Sequence, residues 1–257
     1  MTDFEKFYNL HRQQGPLIIG NAWNVQSAKI LEKNKWQALA TSSAAVAETL
    51  GYDDGEEMSF DEYLFVIRRI KASTSLPLSV DLETGYGKTI EEVVANMQNL
   101  SELGVVGVNI EDSTIRNGNR QLSDATSFAE KLSAIGTALN AKNIEMFINV
   151  RCDTFLLSLP DACKEAIQRL ARYQHSGVHG LFLPCLTDLE EIKAIVRTIT
   201  LPLNVMCMPN LPDFDQLTSA GVKRISMGNF LNKASYSTVD ALAKKIISDN
   251  NFSSLFS

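Results

Sequence analysis

The chain has little of what marks a stapled, metal-fingered, membrane-bound or nucleic-acid-coating protein. Its 257 residues hold four cysteines, Cys152, Cys163, Cys185 and Cys207, and no two form a C-x-x-C pair. Its three histidines, His11, His175 and His179, complete no zinc pattern with them. Cysteines in or beside apolar runs read as small buried hydrophobes in a reducing cytosol. No apolar run approaches the length of a membrane span. The N-terminal stretch MTDFEKFYNLHRQQG is polar and has no apolar h-region, so no signal peptide is expected and the protein is placed in the cytoplasm. No lysine or arginine cluster is present and the formal net charge is -6, which disfavours a phosphate-backbone partner. Neither nucleic acid nor membrane is expected as a partner.

What is present is alternation. Eight short runs rich in Val, Ile and Leu cover 16–21, 37–43, 77–83, 105–112, 146–153, 178–185, 202–208 and 222–229. Amphipathic stretches separate them. SFDEYLFVIRRIKAST opens on a serine cap followed by acids and closes on basic residues, as a helix dipole prefers. TIEEVVANMQNLSELG opens with a capping box and closes on glycine, and TDLEEIKAIVRTIT repeats the plan. Eight such units predict an α/β fold, a (β/α)8 TIM barrel, as a single domain over 1–257. Continuous apolar runs suit parallel strands covered on both faces. Internal echoes, SLPLSVDLE with TLPLNVMCM and LGVVGVNIED with SGVHGLFLPC, fit repeated units. A doubly wound sheet would also alternate, but GNAWNVQSA after the first run is no dinucleotide fingerprint. Two stretches read as irregular, 51–58 and 113–122. Both fall where loops form the active face of a barrel.

The third run ends in SVDLETGYG. Alternation along a strand points Asp81 and Glu83 one way and Leu82 the other. Two carboxylates turned inward repel each other, and burial worsens this, so a cation or basic partner must offset them. Hard oxygen ligands suit Mg2+ or Mn2+. The fourth run ends in Glu111 and Asp112, of which one can join the pair. A D-x-E pair alone is more often a loop salt bridge; with an acid at the next strand end it becomes a metal candidate. TGYG reads as a turn, since it lacks the G-K-[ST] ending of a phosphate loop. Arg151, near the end of the fifth run, could grip a carboxylate in a two-point fork or serve a structural ion pair. Asp53, Asp54, Glu56 and Glu57 read first as a solvated charge run. TSS at 41–43 offers hydroxyls and N–H groups after the second run.

Together NAW…SAKILE, ALATSSAAVAETLGYDDGE, PLSVDLETGYG, LGVVGVNIEDS, INVRCD and GVKRISMG resemble the isocitrate lyase/phosphoenolpyruvate mutase superfamily, in family order over residues 17 to 229. The resemblance implies a Mg2+-dependent (β/α)8 barrel and a homo-oligomer, with the C-terminal helix exchanged with a neighbouring subunit. It implies chemistry on C–C or P–C bonds beside a 2-oxo acid or enolate. Asp81 and Glu111 match Mg2+ positions, held directly or through water, and Glu83 stands where many members have Asp. Ser42, Ser43 and Ala44 match a segment that binds the substrate carboxylate or carbonyl. Asp54 aligns with a pocket acid, and Arg151 with the substrate-binding arginine. Asn119 falls at the spacing of a loop asparagine in phosphonate-active members; Asn117 is the other asparagine of that loop.

Two departures matter. The loop after the fourth run, STIRNGNRQL, lacks the K-K-C-G-H type motif of isocitrate and methylisocitrate lyases. LFLPC lacks the histidine that phosphonate-active members carry at the end of strand six. The expected function is a Mg2+-dependent lyase cleaving a C–C bond of a small 2-oxo or 2-hydroxy (di)carboxylate through a metal-stabilised enolate. The alternatives are a phosphoenolpyruvate phosphonomutase or phosphonopyruvate hydrolase, and a non-catalytic metabolite-binding barrel.

Overall fold

The eight apolar runs form eight parallel strands. These are β1 (Leu17–Ala22), β2 (Leu39–Thr41), β3 (Leu78–Asp81), β4 (Gly107–Glu111), β7 (Phe147–Arg151), β8 (Gly180–Leu183), β9 (Leu203–Met206) and β10 (Arg224–Ser226). They close into a barrel in the order β1-β10-β9-β8-β7-β4-β3-β2. The computed structural model describes residues 1–116 and 118–256, and the backbone but not the side chain of Arg116. The strands are buried nearly throughout, inside by one another and outside by helices, which is why they read as unbroken apolar runs.

The helices fall where the caps place them. Ser59 caps α4 (Phe60–Lys71) and Thr89 caps α5 (Ile90–Glu102), each in a capping box with a glutamate three residues on. Asp188 caps α8 (Leu189–Val196). The others are α2 (Val25–Lys33), α3 (Ser43–Leu50), α6 (Ala125–Ala141), α7 (Ala162–Tyr173) and α9 (Phe214–Ser219). No helix among the described residues is long and apolar enough to cross a membrane.

Three features depart from the bare pattern. The 113–122 stretch, expected to be irregular, forms an antiparallel pair, β5 (Ser113–Arg116) with β6 (Asn119–Leu122), in the register Ile115 to Arg120. It stands outside the barrel ring, after β4. The 51–58 stretch keeps its irregular form between α3 and α4. Cys207, expected to be buried, is exposed.

A short helix, α1 (Asp3–Leu10), stops the end of the barrel opposite the βα loops. Its Phe7 is fully buried among Leu17, Ile19, Ala38, Val106 and Phe147, with ring centroids 5.4 Å apart between Phe7 and Phe147. Above it Arg224 is 1% exposed, its Cζ 6.0 Å from the Phe7 ring. Burial, and then the Arg224 charge, push His11 down to about 3, so the imidazole is neutral.

At the other chain end α10 (Phe230–Asp249) runs 20 residues and buries only Asn232. Tyr236, Val239 and Ile247 lie 47%, 58% and 82% exposed along it.

Candidate functional site

The residues singled out at strand ends gather at the carboxyl end of the barrel, as the fold requires. Asp81 closes β3. Its Oδ2 accepts from Ser43 Oγ at 2.8 Å and from the Ser43 N–H at 3.4 Å, and its Oδ1 accepts from Asn109 Nδ2 at 3.3 Å. Its own N–H donates to Thr41 Oγ1 at 3.0 Å. Beneath it Asn149 donates to Asn109 Oδ1 at 2.9 Å and to Asn204 Oδ1 at 3.2 Å, so a floor of amides fixes the carboxylate from below. Ser42 caps α3, and Ser43 and Ala44 form its first turn. That turn is where backbone N–H groups are free to meet an anion.

Glu83 does not follow Asp81 inward as simple alternation predicts. The strand ends at Asp81 and the backbone turns left-handed at Glu83, with φ 49°, and again at Gly85 and Tyr86, with φ 114° and 52°. Gly85 is required, because a Cβ there would lie 2.7 Å from both Val93 methyls. TGYG is a turn, and it swings Glu83 into a neighbouring chamber. There Glu83 is 2% exposed, accepts from Tyr86 OH at 2.8 Å through Oε1, and has no partner for Oε2 among the described residues. Burial first, and then Asp54, Glu111 and Asp81, push its carboxyl up to about 9.

Glu111 ends β4 facing the same region, while Asp112 faces outward. Asp112 is fully buried and meets Arg169 Nη1 at 3.2 Å and Tyr173 OH at 2.9 Å, a link to α7 that needs no ligand. Glu111 meets two guanidiniums, Arg151 Nη1 at 2.8 Å and Arg120 Nη1. Burial pushes the Glu111 carboxyl up, against the downward pull of Arg151. Arg151 gives its remaining edge to Asp153, from Nε at 2.6 Å and Nη2 at 3.1 Å. Of the two readings of Arg151, the structure shows the ion pair, in a residue that also lines the mouth of the barrel.

Arg120 and Asp153 went unnoticed in the sequence. Arg120 enters from β6 and reaches Ser113 Oγ at 3.0 Å, Asp153 Oδ2 at 3.5 Å and Asp54 Oδ2 at 3.4 Å. The available signal was Asn117-Gly118, a hairpin dipeptide, which turns a loop arginine into one on a defined strand face. Asp54 itself is exposed; burial on its inner side, and then Asp81, raise its carboxyl above the ordinary range. Asn119 opens β6 and is exposed. Asn117 lies outside the described residues.

Two chambers share these groups. The barrel mouth, about 180 Å³, is lined by Ser43, Asp54, Asp81, Asn109 and Arg151 among others. The second, about 680 Å³, takes Glu83, Glu111, Tyr86 and Lys88, with Thr114 and Ile115 of the hairpin. Asp81 thus serves one chamber, and Glu83 and Glu111 the other. No group of three or more His, Cys, Asp or Glu among the described residues is arranged to hold a metal ion. The donor chemistry still fits a hard divalent cation. Of five carboxylates here, Asp54, Glu111 and Asp153 contact the two guanidiniums while Asp81 and Glu83 do not, and Glu83 Oε2 is a buried oxygen without a partner among the described residues. In the mouth chamber Asp81 is the carboxylate such an ion could use; Glu83 opens on the other chamber, and Glu111 is held by Arg120 and Arg151.

Comparisons with known proteins agree with this fold. A family model described as phosphoenolpyruvate phosphomutase matches residues 7–247. An uncharacterized protein of Mycobacterium tuberculosis (strain ATCC 25618 / H37Rv) is 32% identical over 223 residues, 87% of this chain and 81% of that protein. The 2-methylisocitrate lyase of Escherichia coli (strain K12) is 30% identical over 218 residues, 82% of this chain and 73% of the lyase. The crystal structure of a Burkholderia cenocepacia J2315 protein, provisionally assigned as a phosphonomutase, matches with a TM-score of 0.88 at 32% identity, covering 95% of this chain and 98% of that one. A phosphonopyruvate hydrolase solved with oxalate and Mg2+ shares the fold, with a TM-score of 0.85 at 20% identity over 98% of this chain and 89% of its own. The chain belongs to the phosphoenolpyruvate phosphomutase family, in the isocitrate lyase/phosphoenolpyruvate mutase superfamily of lyases and mutases.

Proposed function

We propose that the protein is a Mg2+-dependent lyase that cleaves a C–C bond of a small 2-oxo or 2-hydroxy (di)carboxylate. The observation that carries this reading is the convergence of Asp81, Arg151 and the first turn of α3 on one chamber of about 180 Å³. That volume lies below the range of about 300–1,000 Å³ usual for larger ligands, so it suits a small acid. Arg151 and the Ser43–Ala44 turn hold and orient the substrate carboxylate, with Asp153 fixing the plane of the guanidinium. Since Asp153 already takes two Arg151 nitrogens, the substrate meets the rest of the guanidinium and not a free fork. Asp54, at the rim, has its carboxyl raised and can hold or pass a proton at the mouth. A divalent cation held through Asp81, when bound, would supply a Lewis acid for negative charge developing on the carbonyl oxygen. The Mg2+ and oxalate of the related hydrolase support this choice of ion and ligand class.

The exposed apolar residues of α10 support a homo-oligomer in which this helix packs on a neighbouring copy.

The direct test is titration of Mg2+ with oxalate, followed by product NMR on a panel of 2-oxo and 2-hydroxy acids. Asp81→Asn is expected to abolish both the Mg2+-dependent thermal shift and turnover. Full turnover in that variant would sink the metal reading. Oxalate binding with no turnover of any acid would favour the non-catalytic barrel.

A further inference from the structure

Below the mouth, the barrel interior is stacked in layers fed by alternate strands. Stepped two strands on and two residues down, the pairing registers lead from Arg224 to Gly180, Gly107 and Ala38 and back to Arg224. The same walk from Asn204 passes Asn149, Ser79 and Ile19, which form the layer above. The lower layer thus holds one long side chain among positions that carry a methyl group or nothing. Rings close it from below: a Cβ on Gly107 would lie 3.0 Å from Phe7 Cε1, and one on Gly180 3.0 Å from Phe147 Cε1. Amides close it from above, where Asn149 donates to Asn204 and Asn109.

Arg224 lies in this floor with a charge that no carboxylate among the described residues pairs. Its Nε, Nη1 and Nη2 are buried without a hydrogen-bond partner among those residues. Arg151 and Arg169 differ: the first meets Glu111 and Asp153, the second Asp112 and Glu165. Burial pulls Arg224 down only to about 10, so it stays charged at neutral pH, and the charge that acts on it is Asp81, from the mouth. Two further buried atoms at this end of the barrel lack partners, Ser79 Oγ in the layer above and His11 Nε2 on the segment that follows α1. His11 stacks on Phe147 at 4.1 Å, and its Nδ1 donates to the Phe7 carbonyl at 2.8 Å, so Nε2 presents a lone pair.

Buried polar groups are satisfied by protein, by water or by a ligand. Water can bridge Arg224 to the His11 lone pair, but it carries no charge to set against the guanidinium. A small anion does, accepting from the N–H groups of Arg224 and from the Ser79 hydroxyl. With His11 neutral, a single positive charge has to be matched, so the anion is monovalent. The rings below and the amides above restrict it to the size of a halide. We infer that the floor of the barrel binds one monovalent anion of the halide class against Arg224 and Ser79, beneath the mouth chamber and sealed in by α1. Its role is structural. Unfolding releases the ion, so stability rises with its concentration. The site is independent of the lyase reading.

The experiment uses the full chain in chelator, with sodium gluconate replaced by sodium bromide at constant ionic strength. The melting temperature of wild type should rise by about 5 °C when bromide reaches ~100 times its fitted Kd. Crystals grown in bromide should give an anomalous peak against the Arg224 guanidinium and Ser79 Oγ. Arg224→Met keeps the length of the side chain and removes its charge, and its melting temperature should no longer follow bromide. Ser79→Ala keeps the guanidinium and removes one donor, which tests the site even where Arg224→Met does not fold; its bromide Kd should rise about tenfold. A wild-type melting temperature that does not distinguish bromide from gluconate overturns the inference. So does a response of full size in Arg224→Met, which would place the ion on Arg151 or the surface. An unchanged Kd in Ser79→Ala, or density at Arg224 with no anomalous signal, assigns the floor to water and overturns it as well.

Discussion

Arg151 presents its guanidinium edge-on to Asp153, with Nε 2.6 Å from Oδ1 and Nη2 3.1 Å from Oδ2. Asp153 has no exposed side-chain surface and Arg151 only 12%. Asp153 also accepts from Ser113 Oγ at 2.5 Å and stands 3.5 Å from Arg120. One carboxylate thus serves two arginines and the base of the hairpin.

Replacing Asp153 with Asn keeps the shape and removes the charge. Two poorly hydrated guanidiniums then share Glu111, and only Arg120 also reaches Asp54. Breaking a buried pair on one side typically costs ~3–5 kcal/mol, and a loss in that range is expected in urea unfolding. Oxalate affinity should fall as well, because the Arg151 plane is no longer held. An unchanged unfolding midpoint would mean that the pair carries no structural weight.

Glu83 predicts a pH dependence in protein stripped of divalent ions. Burial and the neighbouring acids push its folded-state carboxyl from the ordinary 4.5 up to about 9. Between those values the folded state keeps the proton and the unfolded state has lost it. Stability from this group is therefore present at low pH and declines as pH rises from about 4.5 to about 9. Melting curves in chelator should drop between pH 6 and 8.5, and Glu83→Gln should flatten that drop. Parallel pH profiles for the two proteins would remove Glu83 as the cause.

The C-terminal helix gives a third expectation. Deleting residues 236–257 removes exposed Tyr236, Val239 and Ile247 and touches no barrel strand. If α10 packs on a neighbouring copy, light scattering should report a lower assembly mass, with the far-ultraviolet signature of the barrel retained. An unchanged mass would assign the assembly to another surface.

How much of this was legible in the chain varies with the physics of each piece. The barrel was, because strands covered on both faces must be apolar and the helices between them carry caps. Ser59 and Thr89 start α4 and α5 where their sequences say they should. The hairpin was not, because its strands are polar. Strand β6, with its exposed Asn119 and Gln121, buries too little to stand out from a loop. Asp81, Glu111 and Arg151 were legible as strand-end charges. The parting of Glu83 from Asp81 was not, since alternation holds only while the strand lasts, and the left-handed turn at Glu83 breaks it. Arg120 and Asp153 became visible only when the hairpin and β7 came together in space.

The stopper helix also depends on the whole ring for its seat. The seat of Phe7 is built from Leu17, Ala38, Val106 and Phe147, and Phe4 stacks edge-on to His179 at 5.9 Å. That seat is complete only when strands drawn from much of the chain have met. Helix α1 thus precedes every strand in the chain and docks on a surface that the strands build together. An unfinished ring offers it no seat, so it acts as a tethered cork over Arg224 only when the circle is complete.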